Sequence, residues 1–287
     1  MTKKRSNKPR PIPGVPRPMK SRKKARQVTS LFHKHTRLLS EAQSAEDVEE
    51  VKRQEEEIER LGGRDAYQAA SVLSVKYFST SKWVLSDLRK RGIIGCQGIR
   101  GSTVEILEVG AINTDLIEAA KRSVAPHANR SELSVQAIDI KSQHPEIQEM
   151  DFFDLDTSYR YDVIVCSMVI NCVPTPEQRG RMLIKLKHHL RPGGLCFFTL
   201  PLTCLIHSKY VTKESFVDIL ENGVGLEILA QKRSPKIAFF VLRKPEDSRI
   251  IVGLSSKWSS LKIVNKKKMK KLRNPFAVTL KDESEEL

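Results

Sequence analysis

The sequence is poor in the residues that build metal centres and disulfide frameworks. Its 287 residues include five Cys (Cys96, Cys166, Cys172, Cys196 and Cys204). No two of these form a CxxC pair, and no His stands at ligand spacing beside them. That pattern argues against a zinc site or a disulfide scaffold and fits a reducing compartment. Long apolar runs are also lacking. Toward the C-terminal end the longest wholly apolar run is "IAFFVL", far short of a membrane span. The basic N-terminal stretch lacks the apolar centre of a secretory signal. Acidic residues are absent from residues 1–40, which carry 13 Lys/Arg. Residues 257–287 carry 9 Lys/Arg against 4 Asp/Glu. Taking these +13 and +5 from the net +16 leaves −2 for residues 41–256. A near-neutral core therefore sits between two basic tails. Such tails attract polyanions by neutralising phosphates and releasing counterions. Nuclear targeting and plain solvation are the other readings of the same charge.

Residues 1–27 are rich in Pro and Lys/Arg and nearly devoid of large apolar residues, so a disordered tail is expected through about residue 30. From there to about residue 100 the pattern is helical. "EAQSAEDVEEVKRQEEEIERLGG" reads as an exposed helix stopped by Gly62-Gly63, with further helices over 64–75 and 82–91. From Thr103 short apolar strands alternate with helices. "VEILEV", "LSVQAID", "MDFFD", "YDVIVCS" and "LCFFTL" read as five strands. "TPEQRGRMLIKLKHHL" is a marked helix, with Thr175 as cap, Pro176 at its first position, Gln178 closing a capping box, and Met182, Leu183, Leu186 and Leu190 as the inward stripe. "LEILAQKR" and "KIAFFVLRK" read as a closing hairpin across Ser234-Pro235. The expected fold is α/β, a doubly wound mixed sheet over 101–250, with a helical extension before it. Residues 251–287 read as a tail, first polybasic and then acidic.

Glycine is scarce where a nucleotide-binding fold normally concentrates it. The loop after the first strand, "EILEVGAINTD", holds Gly110 alone; Ile112 and Thr114 stand where further glycines would continue the pattern. A dinucleotide pyrophosphate needs those glycines for close backbone approach. An adenosine bearing an amino-acid arm does not. In doubly wound sheets ligands sit at the carboxyl ends of the strands. That places Glu108 and Gly110, Asp139, Asp151 and the segment "CSMVINCVP" around one crevice. Asp139 ends the second strand, where a carboxylate accepts ribose hydroxyls or merely caps a turn. Asp151 is a candidate acceptor for the adenine amino group, with Asp154 and Asp156 as competitors. The Asn171 amide is able to hold a base edge; the alternative is an ordinary loop turned by Pro174. Phe152, Phe153 and Tyr210 are the aromatic residues available to stack on a base, with core packing the expected fate of the two Phe.

The order strand–E-x-G, strand–Asp, strand–Asp and "VIVCSMVINCVPTPEQRGRMLIKLKHHLRPGG" resembles the class I S-adenosylmethionine-dependent methyltransferases, with their Rossmann-like fold. "LGGRDAYQAAS", "STSKWV", "ILEVGAINTD" and "SMVINCVP…RPGGLCFFTLPLTCL" together resemble the fungal nucleolar methyltransferases that modify N1 of an adenine in 25S rRNA. The resemblance runs from about Leu61 to Lys244. It implies S-adenosyl-L-methionine as cofactor, held by Gly110 and Asp139 with Glu108 and Asp151 beside them. Asn171 would position the substrate base. It further implies large-subunit rRNA or a pre-ribosome as partner and a nuclear, nucleolar location. A monomer without metal or membrane attachment is expected. A related animal protein that senses S-adenosylmethionine without methylating supplies an alternative, and a small-molecule or protein methyltransferase is a third.

Overall fold

The structure, a computed structural model, describes residues 21–75, 80–94, 103–123, 132–142, 144–247, 257–263 and 274–281. The most basic stretches, 1–20 and 264–273, and the acidic end lie outside the described residues. The chain divides into two units, residues 1–78 and 79–287.

In the first unit α1 (Arg22–Ser44) packs on α2 (Val48–Arg60) and α3 (Gly63–Val75). The Ser21 side chain caps α1 by accepting from Lys24 N, and Ala25 and Val28 bury against Ala70, with Ala66 and Leu73 alongside. Phe32 stacks on Tyr67 with ring centroids 4.6 Å apart. The tail expected to residue 30 therefore ends earlier, because the apolar stripe of α1 begins at Ala25. The single long exposed helix expected over 41–60 is instead two helices, broken where Glu46 takes φ 56°.

In the second unit α4 (Thr80–Lys90) precedes a seven-stranded sheet. Its strands are β1 (Thr103–Val109), β2 (Glu132–Asp139), β3 (Gln148–Glu149), β4 (Tyr161–Ser167), β5 (Leu190–Pro201), β6 (Glu227–Arg233) and β7 (Ile237–Arg243). The order is β3-β2-β1-β4-β5-β7-β6. The first five strands run parallel and β7 pairs antiparallel with both β5 and β6. This is the doubly wound mixed sheet with a closing hairpin that the sequence predicts. Side-chain alternation along each strand feeds two cores. Leu107, Ile164 and Phe198 face one side, where α6 (Pro176–His189) supplies Met182, Leu183 and Leu186. Ile106, Val163 and Phe197 face the other, covered by Leu116 and Ala120 of α5 (Asp115–Ser123) and by Val84, Leu85 and Leu88 of α4.

Four sequence expectations are corrected. Helix α4 belongs to the sheet unit rather than to the helical extension, since its apolar face completes that second core. "MDFFD" is not a strand. β3 is only Gln148–Glu149, and Asp151 accepts from Phe153 N, which turns 152–154 into a 3-10 helix. The stretch "TKESFVDILEN", which reads in the sequence as one helix over 212–222, is α8 (Lys213–Asp218) followed by a π-helix, Ile219–Val224. The stretch after residue 251 is not all tail, because Phe276, Ala277, Val278 and Leu280 are buried in the core.

The "RPGG" run, expected to end the helix ahead of the strand, lies within β5 itself and has a structural role. Arg191 pairs with Asp162 at 2.7 Å and with Glu105, tying β5 to β4 and β1. A Cβ at Gly194 would lie 2.8 Å from the Arg191 carbonyl oxygen.

Candidate functional site

Strand succession reverses between β1 and β4: β2 and β3 lie to one side of β1, β4 and β5 to the other. Ligand crevices open at such a switch point, beyond the strands' carboxyl ends. Val109 is in register with Ile138 of β2 and with Cys166 of β4. Gly110, Asp139 and Ser167 follow these three and stand side by side at that edge.

Gly110 has φ +73°, and a Cβ there would lie 2.5 Å from Val169 Cγ2. Glycine is needed twice over, for the left-handed backbone and for the loop that closes above it. The turn is tied to β2: the backbone N–H groups of Gly110 and Ala111 both donate to Ile138 O, at 2.8 and 3.0 Å. Asn113 Oδ1 accepts from Asp115 N at 3.0 Å and so opens α5.

Glu108 lies two residues before this turn. Its Oε2 is buried and has no hydrogen-bond partner among the described residues. Burial, and then the nearby Asp115 carboxylate, push its pKa up to about 8. At neutral pH this buried carboxyl group is therefore held mostly in its neutral form. Asp139 ends β2 and accepts from Lys141 N at 3.0 Å, so the turn holds one of its oxygens. Met150 N donates to Asp139 O at 2.9 Å, which brings Asp151 to the same edge. Asp151 caps the 3-10 helix through Phe153 N at 2.9 Å. Its competitors Asp154 and Asp156 are exposed, and Asp156 Oδ1 accepts from Ser158 N.

The loop after β4 begins with a strained residue. Met168 is a non-glycine with φ 62°, held by its N–H donating to Thr199 O at 3.0 Å. Such strain persists only where the surroundings enforce it, and it clusters at functional sites. A 3-10 turn follows, Ile170–Cys172, and carries Asn171. Asn171 Nδ2 reaches Cys172 Sγ at 3.4 Å, while its Oδ1 is buried with no hydrogen-bond partner among the described residues. Two orphaned buried acceptors, Glu108 Oε2 and Asn171 Oδ1, thus occur in segments flanking Gly110. Buried polar atoms are nearly always paired, so both fit a site completed by a bound polar molecule.

Of the aromatic residues, Phe152 is buried in the core, and Phe153 and Tyr210 pack against it. Phe153 also lies beneath Arg181, whose guanidinium is 5.6 Å from the ring centroid. Burial pushes the thiols of Cys196 and Cys204 up to about 12, so both remain protonated core residues. No group of three or more His, Cys, Asp or Glu able to hold a metal occurs among the described residues, and no described helix is long and apolar enough to cross a membrane.

Sequence reading missed a hydroxyl chain under the loop: Thr80 Oγ1 to Ser167 Oγ at 3.0 Å, and Ser167 Oγ to Thr199 Oγ1 at 2.8 Å. Its signal was Thr80 within "STSKWV", a block whose place in the sheet unit was not visible. Arg179 was missed as well. It is buried and donates to Val173 O, Pro174 O and Ala277 O.

Residues 52–278 match the family described as 25S rRNA (adenine(2142)-N(1))-methyltransferase, Bmt2. The chain belongs to this family. It is 28% identical over 196 residues to the 25S rRNA (adenine(2142)-N(1))-methyltransferase of Saccharomyces cerevisiae, covering 64% of this chain and 52% of that protein. Against the 25S rRNA adenine-N(1) methyltransferase of Schizosaccharomyces pombe it is 27% identical over 232 residues, 78% of this chain and 80% of the relative. The chain thus spans about half the length of the first relative and four-fifths of the second. Among solved structures, the N-methyltransferase NodS from Bradyrhizobium japonicum WM9, in complex with S-adenosyl-l-homocysteine, overlaps 57% of this chain and 87% of its own. That overlap has 18% identity and a TM-score of 0.38.

Proposed function

We propose that this chain transfers the methyl group of S-adenosylmethionine to N1 of an adenine in large-subunit (25S) rRNA during ribosome assembly in the nucleolus. The observation that carries the reading is the family match across 52–278, which spans every element of the switch-point crevice. When bound, the cofactor supplies an electrophilic methyl on a sulfonium. Gly110 leaves the backbone room for it, and Asp139 accepts its ribose hydroxyls. Asp151 receives the adenine amino group, and Glu108 faces the charged amino-acid arm. The two orphaned acceptors and the single glycine suit such a ligand; a pyrophosphate would lack the glycines it needs for close backbone approach.

The chain has little bond chemistry to perform. Adenine N1 carries a free lone pair at neutral pH, so no base need act before transfer. The N1–carbon bond forms as the sulfur–carbon bond breaks, and the positive charge moves from sulfur to the base. The rate then depends on holding nucleophile and methyl in line, a positioning effect. Asn171 holds the base edge through its side-chain amide, on a loop pinned by Met168 and Ser167. Inside a duplex the adenine must first be extruded, and the basic stretches 1–20 and 264–273 supply affinity for the RNA backbone.

The test is a paired assay on purified protein, S-adenosylmethionine binding by calorimetry and labelled-methyl incorporation into isolated rRNA. Wild type should show both; Asp139→Ala should lose both, and Asn171→Ala should keep binding and lose transfer. Binding without transfer in wild type would favour a cofactor-sensing role. Transfer by Asp139→Ala at the wild-type rate would remove that residue from the site.

A further inference from the structure

Segment 274–280, "NPFAVTL", is flanked by basic and acidic runs, yet it is a built part of the sheet unit. Its residues Phe276, Ala277, Val278 and Leu280 are buried. Asn274 N donates to His207 O at 3.1 Å, and Ser208 Oγ donates to Phe276 O. Thr279 N donates to Pro176 O at 3.1 Å, and Leu280 N to Trp258 O at 2.9 Å. The segment crosses the start of α6 closely. A Cβ added at Gly180 would overlap the Thr279 carbonyl oxygen, and one added at Gly223 of the π-helix would lie 2.5 Å from Leu280 Cδ1. Two glycines in helical positions thus mark where the segment beds into the surface.

Arg179 connects this strap to the loop after β4. The side chain is 6% exposed. Its Nη1 donates to Ala277 O of the strap at 2.9 Å, its Nε to Val173 O at 2.9 Å and its Nη2 to Pro174 O at 3.0 Å. The guanidinium lies 5.0 Å from the centroid of the Phe276 ring. Val173 immediately follows the 3-10 turn that carries Asn171. A planar fork of five donors suits three fixed carbonyls in a way that a lysine ammonium does not. From this geometry we infer that Arg179 is a positioning residue for the substrate loop, braced from behind by the strap Asn274–Leu280. The strap fixes the guanidinium through Ala277 O and Phe276, and the guanidinium fixes the carbonyls that end the Asn171 turn. This rests on the reading of that loop as the one that holds the target base.

The test compares full-length wild type with Arg179→Lys and Gly180→Ala. The lysine keeps the charge and loses the fork. The alanine keeps Arg179, improves the intrinsic helix propensity of α6 and drives a methyl into the strap. Three quantities are measured: amide hydrogen exchange of residues 168–175, the Kd for S-adenosylhomocysteine, and kcat and KM for rRNA methylation. Both variants should speed exchange in 168–175 while the Kd stays within about twofold, and kcat should fall at least about tenfold, since ångström-scale misplacement of a positioned group costs up to roughly a hundredfold. Unchanged exchange in 168–175 in both variants would overturn the brace, as would a kcat loss that merely matches the folded fraction from a melting curve. Faster exchange in both variants, with a wild-type protein that methylates no rRNA, would leave the brace standing and remove the proposed function instead.

Discussion

At the residue scale the candidate site rests on a few positions with sharp structural demands. Gly110 is the clearest, because φ +73° and the Val169 side chain each reject a Cβ. Gly110→Ala should destabilise the fold by about 1–2 kcal/mol, the usual cost of the left-handed region for other residues, and weaken S-adenosylmethionine binding. Thermal melting and calorimetry read the two effects separately. Glu108 gives a pH signature. Its pKa is about 4.5 when solvated and is raised to about 8 in the fold. The folded chain therefore holds a proton that the unfolded chain gives up between those values. This group's contribution to stability falls as pH rises from about 4.5 to about 8 and is constant above. Glu108→Gln should remove that slope in denaturation curves taken across the window. A cation-bearing ligand favours the ionised form, so wild-type affinity for S-adenosylmethionine should rise with pH toward about 8 by release of one proton, and the Gln variant should lack this component.

At the scale of elements, local chemistry made some features legible and hid others. Helix α6 could be read from Thr175, Pro176 and its Met182, Leu183 and Leu186 stripe; it ends at His189, so Leu190, expected in the same stripe, opens β5 instead. Thr175 Oγ1 accepts from Gln178 N at 3.1 Å; Thr175→Ala should cost about 1 kcal/mol in denaturant unfolding. The central parallel strand β4 was legible because "YDVIVCS" is apolar on both faces, as a buried central strand is. The third strand was misplaced because Phe152 and Phe153 carry β-type composition while the Asp151 side chain captures the backbone into a turn. Composition alone does not reveal that competition. The π-helix after α8 was also hidden, since it serves the packing of Gly223 against Leu280 and Trp258, partners far away in sequence.

At the scale of the whole molecule, what escaped the sequence is long-range. Helix α4 reads as one more helix of the extension until its Val84 and Leu88 meet strands that begin at Thr103. Segment 274–280 is too short and too closely flanked by charge to announce itself as core, and Arg179 reads as a surface arginine until Ala277 is placed beside it. The charge asymmetry, by contrast, was plain from the first forty residues. Deleting residues 1–20, which contain seven Lys/Arg, should weaken rRNA binding and flatten its dependence on salt, because each lost phosphate contact removes roughly 0.7 from the slope of log K against log salt on single strands. Cofactor binding by the same deletion variant should be unchanged. The central claim, N1 methylation of one adenine in 25S rRNA, is tested most directly by mapping N1-methyladenosine along that rRNA in cells with the chain, without it, and with Gly110→Arg in its place. The account predicts one position that is modified with the wild-type chain and unmodified in both other strains. An unchanged N1-methyladenosine map in all three strains would contradict it.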